Sequence, residues 1–200
     1  MFKKFTPDGI KHSNAKSSVI RTIRQRIVEQ YPFLSDEEAS SGSPSGAECL
    51  LPIDVLLPKK AAIELAKVSA GGETNNVQMV VVDGTPVFYN FRDGPYYPTL
   101  RVLHLFPLMM PRLRVDRGAV RFVLAGANIM CPGLTSPGAC IHDEVPIDTP
   151  VAIFAEGKET PLAVGITRLS TADIVSVNKG IGVDLITYLN DGLWKHPVIS

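Results

Sequence analysis

Asp116-Arg117-Gly118-Ala119-Val120-Arg121-Phe122-Val123-Leu124-Ala125-Gly126-Ala127-Asn128-Ile129-Met130-Cys131-Pro132-Gly133 decides the fold of the second half of the chain. Asp116 is a strong helix N-cap, because its carboxylate can accept from the open N–H groups of a first turn. Ala119, Val120, Val123 and Leu124 then recur at helical spacing, and Gly126 can close the helix in a left-handed conformation. Residues 128–131 read as a short strand and Pro132-Gly133 as a turn. The outcome is a helix–strand unit with Arg117 and Arg121 beside two glycines. Gly118, without a side chain, lets another backbone approach the start of the helix, where partial positive charge favours phosphate.

Outward from this unit, residues 150–155 and 161–167 read as strands joined through Glu156-Gly157-Lys158. Ser170-Thr171-Ala172-Asp173 opens a short helix in capping-box fashion, and residues 186–189 form a last strand. Many short strands with a few short helices suit a small, partly closed barrel over residues 110–192. Trp194 is expected to pack against it.

Residues 1–109 read as a separate α+β domain. Lys3, Lys4, Lys11, Lys16, Arg21, Arg24 and Arg26 face only Asp8 and Glu29 as acids. Val19, Ile20, Ile23, Ile27 and Tyr31 mark the apolar stripe of a helix over residues 15–30, capped by Ser13 or Asn14 and stopped by Pro32. Its arginine face is either a solvated surface or an RNA contact. A short helix can start at Ser35, with Glu38 in capping-box position, ahead of a flexible insertion near residues 39–49. A second helix is expected over residues 60–68. Residues 77–82 and 86–91 flank Asp83-Gly84, a strong hairpin signal.

Charge and composition narrow the classes. Twenty Lys and Arg balance twenty Asp and Glu, so nucleic-acid binding must rest on local patches. One such patch is Arg92, Arg101, His104, Arg112, Arg114, Arg117 and Arg121, with Tyr96 and Tyr97 beside it; arginine offers phosphate a planar, bidentate fork. Three cysteines, Cys49, Cys131 and Cys140, suit a reduced compartment, and a cytoplasmic location is expected. No apolar run approaches the roughly 20 residues a membrane span needs. Cys131, Cys140 and His142 do not have a zinc spacing, and no metal or cofactor is expected. His142-Asp143-Glu144 lacks a nucleophile in fixed relation, and Gly180-Ile181-Gly182 lacks a third glycine.

The quoted stretch resembles the signature of the PUA domain, an RNA-binding module of pseudouridine synthases and archaeosine transglycosylases. Residues 126–139 (Gly-Ala-Asn-Ile-Met-Cys-Pro-Gly-Leu-Thr-Ser-Pro-Gly-Ala) resemble the malignant T-cell-amplified sequence (MCT) family of translation factors. So do Arg92-Asp93-Gly94-Pro95, Tyr97-Pro98-Thr99-Leu100-Arg101, Ala155-Glu156-Gly157-Lys158, Asn178-Lys179-Gly180-Ile181-Gly182 and Tyr188-Leu189-Asn190-Asp191-Gly192-Leu193-Trp194. These runs keep one order over most of the chain. Residues 40–49 and 70–76 look longer or more divergent than the family pattern, and residues 142–146 differ slightly.

The resemblance implies an MCT-type N-terminal domain followed by a PUA pseudo-β-barrel. It also implies action on the small ribosomal subunit with the density-regulated protein, in tRNA release or recruitment during ribosome recycling and translation reinitiation. The PUA domain would meet the tRNA acceptor end, and the N-terminal domain ribosomal RNA and the partner. Arg117, Gly118, Ala119, Arg121, Gly126, Ala127, Met130, Cys131, Pro132, Gly133, Lys179 and Gly180 are the candidate RNA-binding residues. Arg21, Arg24, Arg92, Arg101, Arg112 and Arg114 are candidates for ribosomal RNA. No catalytic residue is expected. The alternatives are a PUA-containing RNA-modification protein, whether enzyme or accessory, and a protein-interaction adaptor.

Overall fold

The structure is a computed structural model and describes residues 2–3, 5–7, 10–36, 51–69 and 76–199. The expected insertion near 39–49, Glu38, Lys4, Cys49 and nearly all of the 70–76 loop lie outside these residues. The chain divides into two compact units: Pro7–Val102 with Pro197–Ser200, and Met1–Thr6 with Leu103–His196. Each unit therefore takes its final piece from the far end of the chain.

The first unit is an antiparallel sheet with helices. Strand β1 (Lys11–Asn14) precedes helix α1 (Ser17–Gln30), a 3-10 turn (Pro32–Ser35) and helix α2 (Pro52–Leu56). Strands β2 (Ile63–Ser69), β3 (Asn76–Val82), β4 (Thr85–Phe91) and β5 (Tyr97–Pro98) complete the sheet, in the order β1-β2-β3-β4-β5. Ile23 and Ile27 of α1 are buried, as are Tyr31 and Leu34 beyond it. Asp83 and Gly84 both take positive φ, +48° and +78°, the conformation that a two-residue hairpin with matched twist demands.

Two expectations fail here. Residues 60–68 do not form a helix; Ile63–Ser69 is a central strand, paired with β1 on one side and β3 on the other. Glu64, Leu65, Ala66 and Lys67 are good helix formers one by one, but ladders on both sides override propensity. Ser13 and Asn14 do not cap α1. They belong to β1, where the Ser13 hydroxyl donates to Leu65 O at 3.2 Å, and Lys16 is the N-cap, without a side-chain bond.

The second unit begins within helix α3 (Leu100–Leu105) and continues through strand β6 (Arg112–Val115), helix α4 (Val120–Leu124), strand β7 (Ile129–Met130), helix α5 (Pro132–Thr135) and strand β8 (Cys140–Ile141). Strands β9 (Pro150–Ala155) and β10 (Pro161–Thr167), helix α6 (Thr171–Val177), strand β11 (Ile181–Tyr188) and helix α7 (Gly192–Lys195) follow. The six strands run β7-β11-β10-β9-β6-β8, antiparallel except for the β6–β9 pair. Register shifts interrupt both sides of β10 and the β11–β7 pair, and such shifts let a sheet bend toward closure. At one of them stands Gly165; a Cβ there would collide with Val183 and lie 2.8 Å from Asp184 O. Leu113, Val115, Ile153, Ile174 and Val183 fill the interior. The result is the expected small barrel.

Strands β9 and β10 match their expected bounds. The last strand is longer than expected, Ile181–Tyr188 instead of 186–189, because β7 pairs with its first half. Pro132-Gly133 opens a single helical turn, α5, and is not a bare turn. Among the described residues, no helix is long and apolar enough to cross a membrane.

Candidate nucleic-acid interface

The quoted helix–strand unit builds an open groove of about 560 Å³ in the second unit. Asp116 organises its floor. The Asp116 carboxylate accepts from Ala119 N–H at 2.9 Å, and its backbone N–H donates to Gly133 O at 3.1 Å. The turn before α4 is thereby tied to the start of α5. A Cβ on Gly133 would lie 3.2 Å from Ala119 Cβ, a tight contact that a side chain there would have to relieve by a small shift. Gly126, at φ +83°, ends α4 as expected, and its Cα faces the Tyr188 ring, which a Cβ would meet at 2.8 Å.

Seven of the candidate residues line this one groove: Gly118, Ala119, Arg121, Ala127, Met130, Pro132 and Gly133. The wall is largely apolar. Phe122 is 53% exposed and Met130 50%, high values for such side chains, and Leu124 is exposed as well, not buried as its spacing suggested. The Arg121 guanidinium sits over the Phe122 ring, 4.6 Å from its centroid, a cation–π arrangement. A flat ring carrying a cation at the lip of an apolar groove can stack a base and neutralise its phosphate. Arg117 is exposed on the same turn. Sequence reasoning missed Phe122, Asn128 and Ser136. Phe122 was legible as an aromatic off the core-facing stripe of Ala119 and Val123. Asn128 gave no signal, because its bonds to the Asp184 carboxylate and Leu185 N–H are tertiary.

The anion site at a helix start does not survive. Helix α4 has only five residues, and Ala119 N–H is already taken by Asp116. Arg117 and Arg121 are left as the positive charges of this edge.

Cys131, Lys179 and Gly180 form a seam beneath the groove. Cys131 is fully buried; its N–H donates to Gly180 O at 3.0 Å and its thiol to Lys179 O at 3.4 Å. Lys179 remains exposed, and Gly180 (φ +82°) has open space where a Cβ would stand. Cys140 Sγ lies 3.8 Å from His142 Nδ1, away from Cys131. Among the described residues no three His, Cys, Asp or Glu side chains are grouped to hold a metal ion.

The expected basic strip is shared between the units. Arg92 is exposed and Arg101 half-buried in the first; Arg112, Arg114, Arg117 and Arg121 belong to the second. Several of the candidate RNA-contacting cations already have internal work. Arg24 binds Asp54 at 2.7 Å and also donates to Ile53 O and Leu57 O, fastening α1 to α2. Arg112 Nε is 3.4 Å from Asp143, and Arg114 Nε donates to Gly138 O at 3.1 Å. Arg21 is exposed on α1. Tyr96 and Tyr97 are core residues, 3% and 4% exposed; burial pushes the Tyr96 phenol up, opposed by the Arg26 cation. Trp194 is half-buried against His104, their rings 5.2 Å apart.

Comparisons with known proteins identify the family and the fold. Residues 5–107 match the model of a Pre-PUA-like domain and residues 111–189 that of a PUA domain. The chain is 46% identical over 203 residues to the malignant T-cell-amplified sequence 1 homolog of Drosophila melanogaster, covering 100% of both chains. It is 42% identical to the homolog of Dictyostelium discoideum, with 98% of each covered, and 42% identical to malignant T-cell-amplified sequence 2 of Homo sapiens, with 97% of each covered. Two solved structures share the fold. A hypothetical protein of Pyrococcus horikoshii superposes with a TM-score of 0.66 at 20% identity, over 94% of this chain and 99% of that one. A PUA-domain protein of Aeropyrum pernix gives 0.61 at 22% identity, over 92% and 89%.

Proposed function

The chain belongs to the malignant T-cell-amplified sequence family, and from that premise we propose that it is an RNA-binding translation factor that works by binding and positioning, without covalent chemistry. The observation that carries the proposal is the groove. Seven residues singled out from the sequence converge on it, and Arg121 over exposed Phe122 gives it a cationic stacking face. Its second-unit groove takes a single-stranded RNA end, with a base against Phe122 and Met130 and phosphates on Arg117 and Arg121. Lys179 and Gly180 serve the far edge.

The finer assignment follows the family. The groove receives the acceptor end of tRNA, on the small ribosomal subunit, during recycling and reinitiation in the cytoplasm. The first unit meets ribosomal RNA, with exposed Arg21 and Arg92 as the foremost contacts, and the density-regulated protein as partner. Arg24, Arg112 and Arg114 join this surface while also bonded to Asp54, Asp143 and Gly138 O.

Co-sedimentation with purified small ribosomal subunits, with and without the density-regulated protein, tests this. Arg117→Ala with Arg121→Ala should weaken binding to RNA of any sequence. It should also flatten the logarithmic salt slope by about 1.4, two phosphate contacts at about 0.7 each on single strands. Absence of sedimentation under both conditions would overturn the ribosome-directed reading.

A further inference from the structure

The first unit holds a second, polar pocket of about 360 Å³, lined by Lys67, Val77, Gln78, Asn90, Arg92 and Asp93. We propose that this pocket binds a nucleotide, with the base edge paired to the Asn90 carboxamide and the phosphate held by Lys67 and Arg92.

The carrying observation is Asn90. It lies on β4, where Val87, Phe88 and Tyr89 are also buried, and is itself 1% exposed. Both its Nδ2 and its Oδ1 are buried without a hydrogen-bond partner among the described residues. A buried carboxamide with neither donor nor acceptor used is costly, and native proteins rarely keep one without a role. A hydrophobic side chain at this position would be cheaper for the fold. The orphan pair asks for a group with an acceptor beside a donor. Nucleobase edges have that pattern, and adenine is the standard bidentate partner of asparagine.

The surroundings select a base with a phosphate. Asn90 stands opposite Gln78 in the β3–β4 register, and Gln78 opposite Lys67 in the β2–β3 register. Three polar side chains thus form a row across three adjacent strands on one sheet face. Arg92 follows two residues after Asn90, so the row carries an amide pair at one end and cations on either side. Asp93 is the sole acid of the lining. The rim is fixed from outside: the Asp93 and Gly94 carbonyls both accept from Arg26, at 2.9 and 3.2 Å. The volume lies at the low end of small-molecule pockets and suits one nucleotide. The Asn90 polar atoms are buried beneath the pocket surface, so pairing with them requires the groups above them to move.

The site is independent of the groove in the second unit. The test uses the full chain, with adenosine 5′-monophosphate as probe and the side-chain amide signals of Asn90 and Gln78 as the nuclear magnetic resonance readout. Adenosine 5′-monophosphate should move both signals, and ribose 5-phosphate should leave them in place. A short oligoadenylate binding at least tenfold tighter would identify an RNA strand as the source; equal affinity would identify the free nucleotide. Asn90→Leu should weaken binding at least tenfold while raising the thermal midpoint, since the unpaired amide is gone. Lys67→Met, an exposed change that leaves the core intact, should weaken adenosine 5′-monophosphate binding several-fold, Arg92 keeping part of the phosphate contact. The Arg117→Ala/Arg121→Ala protein should respond as the native chain does, so that failure of the groove reading and failure of this one are separable. No response to adenosine 5′-monophosphate, an equal response to ribose 5-phosphate, or full binding by folded Asn90→Leu would each overturn the proposal, leaving Asn90 a buried, unpaired amide.

Discussion

Two glycines of the helix–strand unit look alike in sequence and differ in what they tolerate. At Gly126, φ is +83° and a Cβ would sit 2.8 Å from the Tyr188 ring. Gly126→Ala therefore meets both backbone strain and a rigid neighbour, and should lower stability by about 1–3 kcal/mol in urea unfolding. At Gly118 the nearest atom to a Cβ would be Asp116 Oδ1, at 3.0 Å, and the position is exposed. Gly118→Glu should leave the unfolding midpoint nearly unchanged. It should still reduce RNA binding tenfold or more, because it puts a carboxylate beside Asp116 at the mouth of the groove. Filter binding at fixed salt checks this; unchanged affinity in the folded variant would remove the groove from consideration. Sequence alone could name both glycines but could not separate them, since the distinction lies in Tyr188, some sixty residues away.

Elements whose cause is local were legible. The Asp83-Gly84 hairpin, the stop at Gly126 and the Ser170 cap all follow from one or two residues; Ser170 Oγ accepts from Asp173 N–H at 3.1 Å, as the capping pattern requires. Strand β2 was not legible, because its strand character comes from neighbours on both edges. Nor was β1, whose four residues carry no strong alternation and owe their conformation to β2. The beginning of β11 was hidden by Gly182 within it and Gly180 just before it. Helix α7 makes a prediction at this scale. Asp191 caps it, accepting from Trp194 N–H at 2.8 Å, and also accepts from Tyr188 N–H. Burial nonetheless pushes the Asp191 carboxyl above its ordinary 3.8, with these backbone donors pulling the other way. The native state then holds the proton more tightly than the unfolded chain does. Its contribution to stability is present in acid and is lost as pH rises through the raised value. Asp191→Asn, which keeps a capping oxygen and cannot ionise, should flatten that descent. Urea midpoints of the two proteins across the acid range measure it.

At the scale of the molecule, sequence patterning did not reveal the exchange of ends between the two units. Phe2 and Phe5 are buried in the second unit, where Phe2 O accepts from Gly192 N–H at 2.9 Å. Ile199, 1% exposed, belongs to the first, its N–H donating to Gly84 O at 2.9 Å. Neither contact has a sequence signal, because each joins residues more than a hundred positions apart. Removing residues 197–200 strips Ile199 from the hairpin and should cost about 1.5–3 kcal/mol, the burial of one large aliphatic side chain. The loss should appear in the first unit, as faster amide exchange along β3 and β4, with the barrel strands unaffected.

The position of Ile199 also sets a schedule. During synthesis the sheet of the first unit leaves the ribosome early, and small domains usually fold in that order, N-terminal first. Here the hairpin must wait for a residue decoded after the whole barrel. Maturation of the first unit is thus completed only once residue 199 has emerged, and not on emergence of its own strands. A nascent chain stalled before residue 197 carries a sheet with its bonding ladder formed and one side of Gly84 unsealed.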